Sequence, residues 1–487
     1  MQSASRGSMM GLMIGWVLVV CVLADAEVLV DHVNVGQVRQ DLIALVDLYN
    51  GGLDGQSGAG AYDNIHTPSS TWNGLFQLDL DRQFNLKQIA NMSDISQARA
   101  VYLNTAAFRA SSGEARFLTT AQRGVDYLFD KAYDTTYGGF FWGLDADGSS
   151  PPTSTKRIGG TFATDKMSYG QVHTVYALAQ TYRIAGAGTL LNNAYLGWND
   201  YKAHFSDTSN GPGAYLPTQS RDYSALLVKR NIDYMTHAFE AAMELYDATP
   251  GSDPRRSVIA QDMLDIGHFI VQLSQPMTGH ADREYIPFTF DATWQPATGA
   301  TVSTGHQLEL AYLLSRGVER GGPATWLDTA NRLLNYGLAY GVDMNSASVY
   351  HGGLVHATVN PDGTPVGATE VVWWDQAELT RATLEFALLR GRDDLWNAFD
   401  AAWPFINNVL VDPIYGGWFQ TVQWDGSAWT YPSGYGTDKG HVWHVGYHET
   451  MLYDEILRLS SLTPVPEPAS FTILALTAIG LIRRRYK

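Results

Sequence analysis

The sequence predicts an all-α protein, an (α/α)6 barrel with short β-hairpin loops. Three observations lead to this fold class: helical periodicity dominates the chain, strong helix formers fill the periodic stretches, and one glycine-containing unit recurs between helices. Apolar residues at three-to-four spacing are the pattern of amphipathic helices. The clearest such segments are 125–131, 172–184, 234–246, 308–316, 377–389 and 449–457.

The recurring unit is YGGFF at 137–141 and YGGWF at 415–419, with a degenerate copy, YHGG, at 350–353. Each copy follows a predicted helix and indicates a short hairpin that turns on the glycine pair. Helix pairs joined by repeated hairpins favour a closed ring of roughly twelve helices. The strand–helix alternation of a parallel sheet is not seen in the sequence. We therefore expect one barrel domain, spanning 35–462.

Composition narrows the class of partner. The formal net charge of −17 argues against nucleic acid and against an anionic membrane as the main partner. The chain carries 14 Trp and 26 Tyr, and aromatic faces of this kind can stack on sugar rings. The sequence has neither a glycine-rich phosphate loop nor a paired-cysteine metal site.

The first 26 residues are typical of a signal peptide. Arg6 precedes an apolar run over 9–23, and Ala24-Asp25-Ala26 fits a small-x-small cleavage site. The alternative is a first core helix. The single cysteine, Cys21, lies inside the apolar run, so cleavage after Ala26 leaves a mature chain without cysteine.

The C-terminal segment 463–487 has a different composition. VPEPAS at 465–470 precedes an apolar stretch over 471–482 and three consecutive arginines at 483–485. That stretch is short for a membrane-spanning helix, which needs about 20 residues. The order resembles a PEP-CTERM sorting tail of exported bacterial proteins, and the alternative is a tail anchor. The resemblance implies a membrane sorting enzyme as partner, transient membrane association through the tail, and an extracellular or cell-surface location.

Two histidines each precede a glutamate by three residues, His237 with Glu240 and His306 with Glu309. On a helix this spacing places both side chains on one face. One interpretation is a histidine whose tautomer and pKa are set by the carboxylate. The other is a metal site, because the same spacing occurs in di-iron helix bundles.

Five motifs, in order from residue 97 to about residue 457, resemble the N-acylglucosamine 2-epimerase family, which includes cellobiose 2-epimerases and mannose isomerases. They are Gln97-Ala98-Arg99, His237 with Glu240-Ala241, GHQLE at 305–309, WWDQAE at 373–378, and Tyr447-His448. The resemblance implies an (α/α)6 barrel and a reaction at the carbon beside a sugar aldehyde. It requires no metal and no redox cofactor.

The chemistry explains why these residue types are needed. A base removes the C2 proton, a cation stabilises the enediolate oxygen, and an acid returns a proton to C2 or C1. The resemblance implies that His306 and His448 form the acid–base pair, since a pKa near 6.5 suits both roles. Arg99 would stabilise the enediolate, His237 would assist ring opening, and Glu309 would orient His306. The implied substrate contacts, to a mono- or disaccharide, are Glu378, Trp374, Tyr312, Glu240 and Tyr169.

The chain also departs from the family pattern. Tyr312 replaces an expected tryptophan, and His173 occupies a position where the family tends to have Phe. Two other functions remain open. A glycoside hydrolase or polysaccharide lyase could use Glu309 and Glu378, since hydrolysis needs two carboxylates about 5–10 Å apart. A carbohydrate-binding surface protein is the third possibility. The same enediolate leads to an epimer or to a ketose, so the motifs predict the reaction class rather than the product.

Overall fold

The computed structural model describes residues 29, 31–51, 74–76, 79–85, 87, 92–145, 148–432 and 436–462. The expected signal peptide and sorting tail lie outside the described residues. Twelve helices of ten residues or more lie within them, and none of these is long and apolar enough to cross a membrane. The fold is organised by the pairing of these helices.

The helices form two concentric rings. Counted along the chain, every second helix belongs to the inner ring and packs on its two inner neighbours. The helices between them cover the inner ring on the outside. This is the predicted (α/α)6 barrel. The outer helices are α1 (Val35–Tyr49), α3 (Ala115–Tyr127), α5 (Gly188–Phe205), α7 (Arg255–Gln272), α9 (Trp326–Gly341) and α11 (Trp396–Phe405). The inner helices are α2 (Asp94–Ala110), α4 (Ser168–Ala185), α6 (Ile232–Ala248), α8 (Thr304–Glu319), α10 (Trp373–Leu389) and α12 (Tyr447–Leu462).

Burial explains the two rings. The outer helix α3 buries one stripe, including Phe117, Ala121 and Val125, as an amphipathic helix at a protein surface does. The inner helix α2 is buried on all sides, although its sequence contains Arg99 and Asn104. A helix enclosed in this way needs partners for its polar side chains, so the barrel interior is rich in buried polar contacts.

The inner helices run in the same direction. Side chains from their first turns meet at one end of the barrel, which we call the N-terminal face. Side chains from their last turns meet at the other end, the C-terminal face. A residue's position along an inner helix therefore sets its depth, at about 1.5 Å per residue.

The strands are short and antiparallel. β3 (Lys166–Met167), β7 (Val302–Ser303) and β9 (Val371–Val372) each lead directly into an inner helix. β3 pairs with β4 (Thr218–Gln219), β7 with β8 (Thr358–Val359), and β9 with β10 (Thr421–Trp424), which also pairs with β11 (Trp429–Thr430). The remaining pairs are β1 (Arg157–Ile158) with β2 (Thr161–Phe162), and β5 (Gln275–Pro276) with β6 (Glu284–Tyr285).

The recurring glycine unit forms the predicted short hairpins after outer helices. Bridges join Tyr133 to Phe140 and Val411 to Trp418, and the degenerate copy closes in the same way. Gly139 has φ +65°, and a Cβ there would lie 2.3 Å from the Tyr223 hydroxyl, so the turn requires glycine.

A buried ion pair accompanies both full copies of the unit. Asp134 lies 3.1 Å from the Lys166 ammonium, and Asp412 lies 3.2 Å from that of Lys439. A buried charge is tolerated when it is paired. Each ion pair therefore links the hairpin that contains the aspartate to the segment that precedes an inner helix. The internal repeat thus extends beyond the sequence motif.

Glutamine occupies the fourth position of four inner helices. Gln97, Gln171, Gln307 and Gln376 each accept a hydrogen bond from a backbone N–H, at 2.7–2.8 Å, and donate to backbone carbonyls of loops at the N-terminal face. A side-chain amide matches a peptide group in both donor and acceptor. These four residues fasten the loops that surround the face.

Candidate active site

The predicted site residues of five inner helices converge at the N-terminal face. Arg99 comes from α2, His237 from α6, His306 from α8, Trp374 from α10 and His448 from α12. All five lie in the first two turns of their helices. The converging helices therefore bring together side chains from most of the length of the chain.

His306 is held at both ring nitrogens. Its Nδ1 lies 2.7 Å from the Ser303 hydroxyl, and its Nε2 lies 3.2 Å from an Asp233 carboxylate oxygen. Ser303 is also the N-cap of α8. The structure thus differs from the expectation that Glu309 orients His306. Both ring nitrogens of His306 are already engaged by Ser303 and Asp233, whereas the same spacing of three residues brings Glu240 within 3.0 Å of His237.

His237 lies between two carboxylates. Its Nδ1 is 3.0 Å from Glu240 Oε2, and its Nε2 is 3.3 Å from Asp233 Oδ1. Burial alone would lower the pKa of His237, but the contacts with Asp233 and Glu240 outweigh burial and raise it to about 10. His237 is therefore a cation at neutral pH, and the spacing argument from the sequence identified its partner Glu240.

Asp233 is the residue that the sequence reasoning missed. A single carboxylate oxygen contacts both His237 and His306. Burial acts to raise the pKa of Asp233, but the two histidine contacts hold it far below the ordinary range. Its spacing, four residues before His237 on one helix face, was an available signal.

His448 is paired with Glu378. Its Nδ1 lies 2.9 Å from Glu378 Oε1, and its Nε2 has no hydrogen-bond partner among the described residues. Burial, followed by the positive charges of Arg99 and His237, lowers the pKa of His448 well below the ordinary value. His448 is thus a neutral imidazole, and Nε2 is the nitrogen left for a bound molecule.

Glu378 is held from both sides. Its second oxygen lies 2.6 Å from Arg381 Nη2, and its side chain is buried. Burial raises the pKa of Glu378, and Arg381 opposes that rise. The expected contact of Glu378 with sugar hydroxyls is therefore not supported by its position. The carboxylate instead orients His448.

Arg99 sits beneath a group of aromatic side chains. It donates to the Tyr169 hydroxyl at 2.8 Å, to the Trp443 carbonyl at 3.0 Å, and to His173 Nε2 at 3.4 Å. Its guanidinium carbon also lies 4.6 Å from the Tyr447 ring centroid. These contacts fix a delocalised cation in a water-poor site, where its charge has a strong effect.

Trp374 stands between the two histidines. Its ring centroid is 4.7 Å from that of His306 and 5.9 Å from that of His448. The side chain is partly exposed, whereas Trp373 beside it is buried. An exposed aromatic face beside polar groups is suited to stacking on a sugar ring. Tyr169, whose ring is 4.4 Å from that of His237, also borders the site.

Glu309 and Tyr312 lie deeper than expected. Glu309 is 1% exposed, burial raises its pKa well above the ordinary value, and its Oε2 has no hydrogen-bond partner among the described residues. Tyr312, about 9 Å further along α8 than His306, packs 4.1 Å beneath the Arg381 guanidinium. Tyr312 is therefore not brought to the site, and the predicted stacking role for it is not supported.

One cluster within the described residues has donor atoms close enough for a metal ion. Atoms of His173, His237 and Glu240 lie within 4.8 Å of one another. However, Arg99 donates to His173 Nε2, and His237 is held as a cation by its carboxylates. Metal ligands must present lone pairs, so these contacts oppose a cation here. The cluster is better suited to holding Arg99 and His237 in place.

Comparisons with known proteins identify relatives that span most of the chain. A cellobiose 2-epimerase of Bacteroides fragilis is 24% identical over 400 residues, covering 79% of this chain and 92% of the relative. One of Ruminococcus albus is 21% identical over 392 residues, with the same coverage.

Solved structures show the same fold. A D-mannose isomerase superposes with a TM-score of 0.69 at 20% identity, covering 87% of this chain and 97% of that one. The cellobiose 2-epimerase of Spirochaeta thermophila DSM 6192 gives a TM-score of 0.68 at 23% identity, covering 88% and 97%. These similarities establish the barrel.

The family model described as N-acylglucosamine 2-epimerase (GlcNAc 2-epimerase) matches residues 74–445. That range contains four of the five motifs and extends over most of both helical rings. The chain therefore belongs to the N-acylglucosamine 2-epimerase family, a family of carbohydrate epimerases and isomerases.

Proposed function

We propose that the protein interconverts reducing sugars through a cis-enediolate, as a 2-epimerase or an aldose–ketose isomerase, with His306 and His448 as the acid–base pair. The observation that carries the proposal is the pair of imidazoles flanking the partly exposed Trp374. A sugar ring stacked on that indole would have one imidazole near each side. Proton removal and return on opposite faces is what inversion at C2 requires.

The protonation states suit this scheme. Neutral His448 accepts the C2 proton through Nε2, and Glu378 stabilises the imidazolium that forms. His306 exchanges a proton on the other face through Nε2, when the bound sugar replaces Asp233 at that nitrogen. In the reverse direction the two histidines exchange roles.

Two cations complete the chemistry. Arg99 is the group that would stabilise the enediolate oxygen, because its charge is fixed before the reaction begins. Protonated His237 would assist ring opening, with its Nε2–H donating to the ring oxygen of the bound sugar in place of Asp233. The named relatives act on cellobiose and mannose, so we propose a free mono- or disaccharide with a reducing end as substrate.

Hydrolysis is the less favoured function. The two carboxylates that it would need, Glu309 and Glu378, are 1% and 0% exposed. Glu378 is also engaged by His448 and Arg381. A general acid or nucleophile must reach the glycosidic bond, and neither of these side chains is positioned to do so.

The test is exchange of the C2 proton in D2O, followed by NMR. The panel contains glucose, mannose, cellobiose, N-acetylglucosamine and N-acetylmannosamine. Exchange at C2 and conversion to the 2-epimer or ketose should occur on at least one sugar, and conversion should fall by at least 10²-fold in both His306→Ala and His448→Ala, because each variant keeps a base on one face only. His268→Ala, on the outer helix α7, is the matched control and should exchange and convert normally. Conversion that survives in either site variant would contradict the assigned pair.

We also propose export, on the sequence of the two ends. Expression in a bacterial host with an active secretory pathway should yield a chain that begins at residue 27, as measured by intact mass. A chain that keeps residues 1–26 and stays in the cytoplasm would contradict this proposal.

A further inference from the structure

The barrel contains a cavity of about 350 Å3 at its C-terminal face. Side chains from all six inner helices line it, together with residues of α1 and the loop after α8. Seven arginines and five carboxylates lie in its walls. The arginines are Arg39, Arg109, Arg183, Arg316, Arg320, Arg381 and Arg458, and the carboxylates are Glu240, Glu244, Asp247, Asp454 and Glu455.

The excess of arginine is unexpected in a chain with a net charge of −17. Part of it has a structural explanation. Arg109, Arg183 and Arg316 lie in the last turns of inner helices, where a cation offsets the partial negative charge of the helix end. Arg381 has no such explanation, because it lies in the middle of α10.

Arg381 is the strongest sign of a ligand. The residue is 1% exposed, and only its Nη2 lies near a carboxylate oxygen, that of Glu378. Its Nε has no hydrogen-bond partner among the described residues. A buried guanidinium donor without an acceptor is unfavourable unless a bound molecule or water meets it. Arg381 lines the cavity, so such a molecule would sit there.

We propose that this cavity binds a small oxyanion that carries two or three negative charges. Guanidinium groups recognise phosphate and carboxylate oxygens through paired N–H donors, and several of them surround one volume here. That volume suits a compact ligand such as phosphate or a small polycarboxylate. Six of the seven arginines are already in ion pairs, four of them with carboxylates of the wall, as Arg109 is with Asp454 at 2.6 Å, so the anion competes with these pairs.

Two residues that line the cavity contact residues of the candidate active site. Arg381 contacts Glu378, which orients His448, and Glu240 contacts His237. An anion at Arg381 weakens the support that Arg381 gives to the Glu378 carboxylate, and so weakens the pairing with His448. Anion binding therefore slows C2 proton exchange. This effect on rate rests on the proposed function, whereas binding itself does not.

The binding test uses the whole barrel protein and measures melting temperature against phosphate or citrate, with NaCl at matched ionic strength as reference. The rise in melting temperature should saturate as the anion concentration increases. Arg109→Gln should weaken the apparent affinity about tenfold, because it removes one charged donor. Asp454→Asn should strengthen the affinity by a similar factor, because it frees Arg109. Arg255→Gln, at a partly exposed ion pair with Asp253 outside the cavity, is the matched control and should bind normally.

The outcomes separate binding from coupling. Saturation by either anion supports the site, and the anion with the lower Kd identifies its class. Stabilisation that does not saturate, or that is the same in Arg109→Gln and Asp454→Asn as in the wild type, overturns it. If Arg109→Gln does not fold, Asp454→Asn alone decides. C2 exchange should then fall with the same half-saturation as binding, and a rate unchanged at saturating anion overturns the coupling alone.

Discussion

Protonated His237 makes the stability of the protein depend on pH in a measurable way. The structure gives this imidazole a pKa of about 10, against about 6.5 in an unfolded chain. The raised pKa means that its contribution is complete below pH 6.5 and is lost as pH rises toward 10. Within that window the folded state holds one more proton than the unfolded state. The free energy of unfolding should fall by about 1.4 kcal/mol per pH unit on account of this residue.

The perturbation is His237→Gln, which keeps a polar side chain but cannot hold the charge. We expect the free energy of unfolding of the wild type, relative to this variant, to fall by about 3 kcal/mol between pH 7 and 9. The assay is urea unfolding followed by tryptophan fluorescence. Thr236→Ser, a neighbouring change without ionisable groups, should give a flat difference from the wild type. Parallel pH profiles for wild type and His237→Gln would refute the assigned charge.

Three further predictions concern the groups around the site. Glu378→Gln should lower kcat about 10²-fold with little change in KM, because His448 loses its carboxylate partner, and an unchanged kcat would contradict the orienting role. Tyr312→Phe should leave KM for the sugar within about twofold, whereas Trp374→Ala should raise it by about tenfold or more, both read from steady-state kinetics. His173→Phe should lower kcat about tenfold, because the Arg99 guanidinium loses the acceptor that His173 Nε2 provides, while KM and melting temperature change little.

The fold was predictable because its signal is local and repeated. Apolar spacing marked the helices, and the YGG units marked the returns between them, so closure into two rings followed from packing. The ion pair between each hairpin and its neighbouring loop was not predictable. The pairs of Asp134 with Lys166 and of Asp412 with Lys439 depend on contacts between separate loops.

Site residues were predictable where a motif identifies the residue and its position in the first turns of an inner helix brings it to the N-terminal face. Arg99, His237, His306 and His448 come together for that reason, and their roles stay predictions. Partnerships between helices were harder to foresee. Asp233 contacts His306 only because α6 and α8 lie side by side.

Depth explains the misplaced Tyr312. It shares a helix with His306, but each turn between them lowers a side chain by about 5.4 Å. A helical wheel shows which way a residue points but does not show how far into a barrel it lies. The distance along the helix therefore matters as much as the face.

The glutamines at the fourth position of the inner helices have an evolutionary consequence. An amide that binds a peptide group recognises backbone, and the side chains of the loop do not enter that recognition. The loops around the N-terminal face can therefore exchange nearly every side chain and still dock in the same position. Such an attachment separates the anchoring of a loop from its chemical content, so substrate preference in this architecture can diverge while the acid–base centre beneath stays in register.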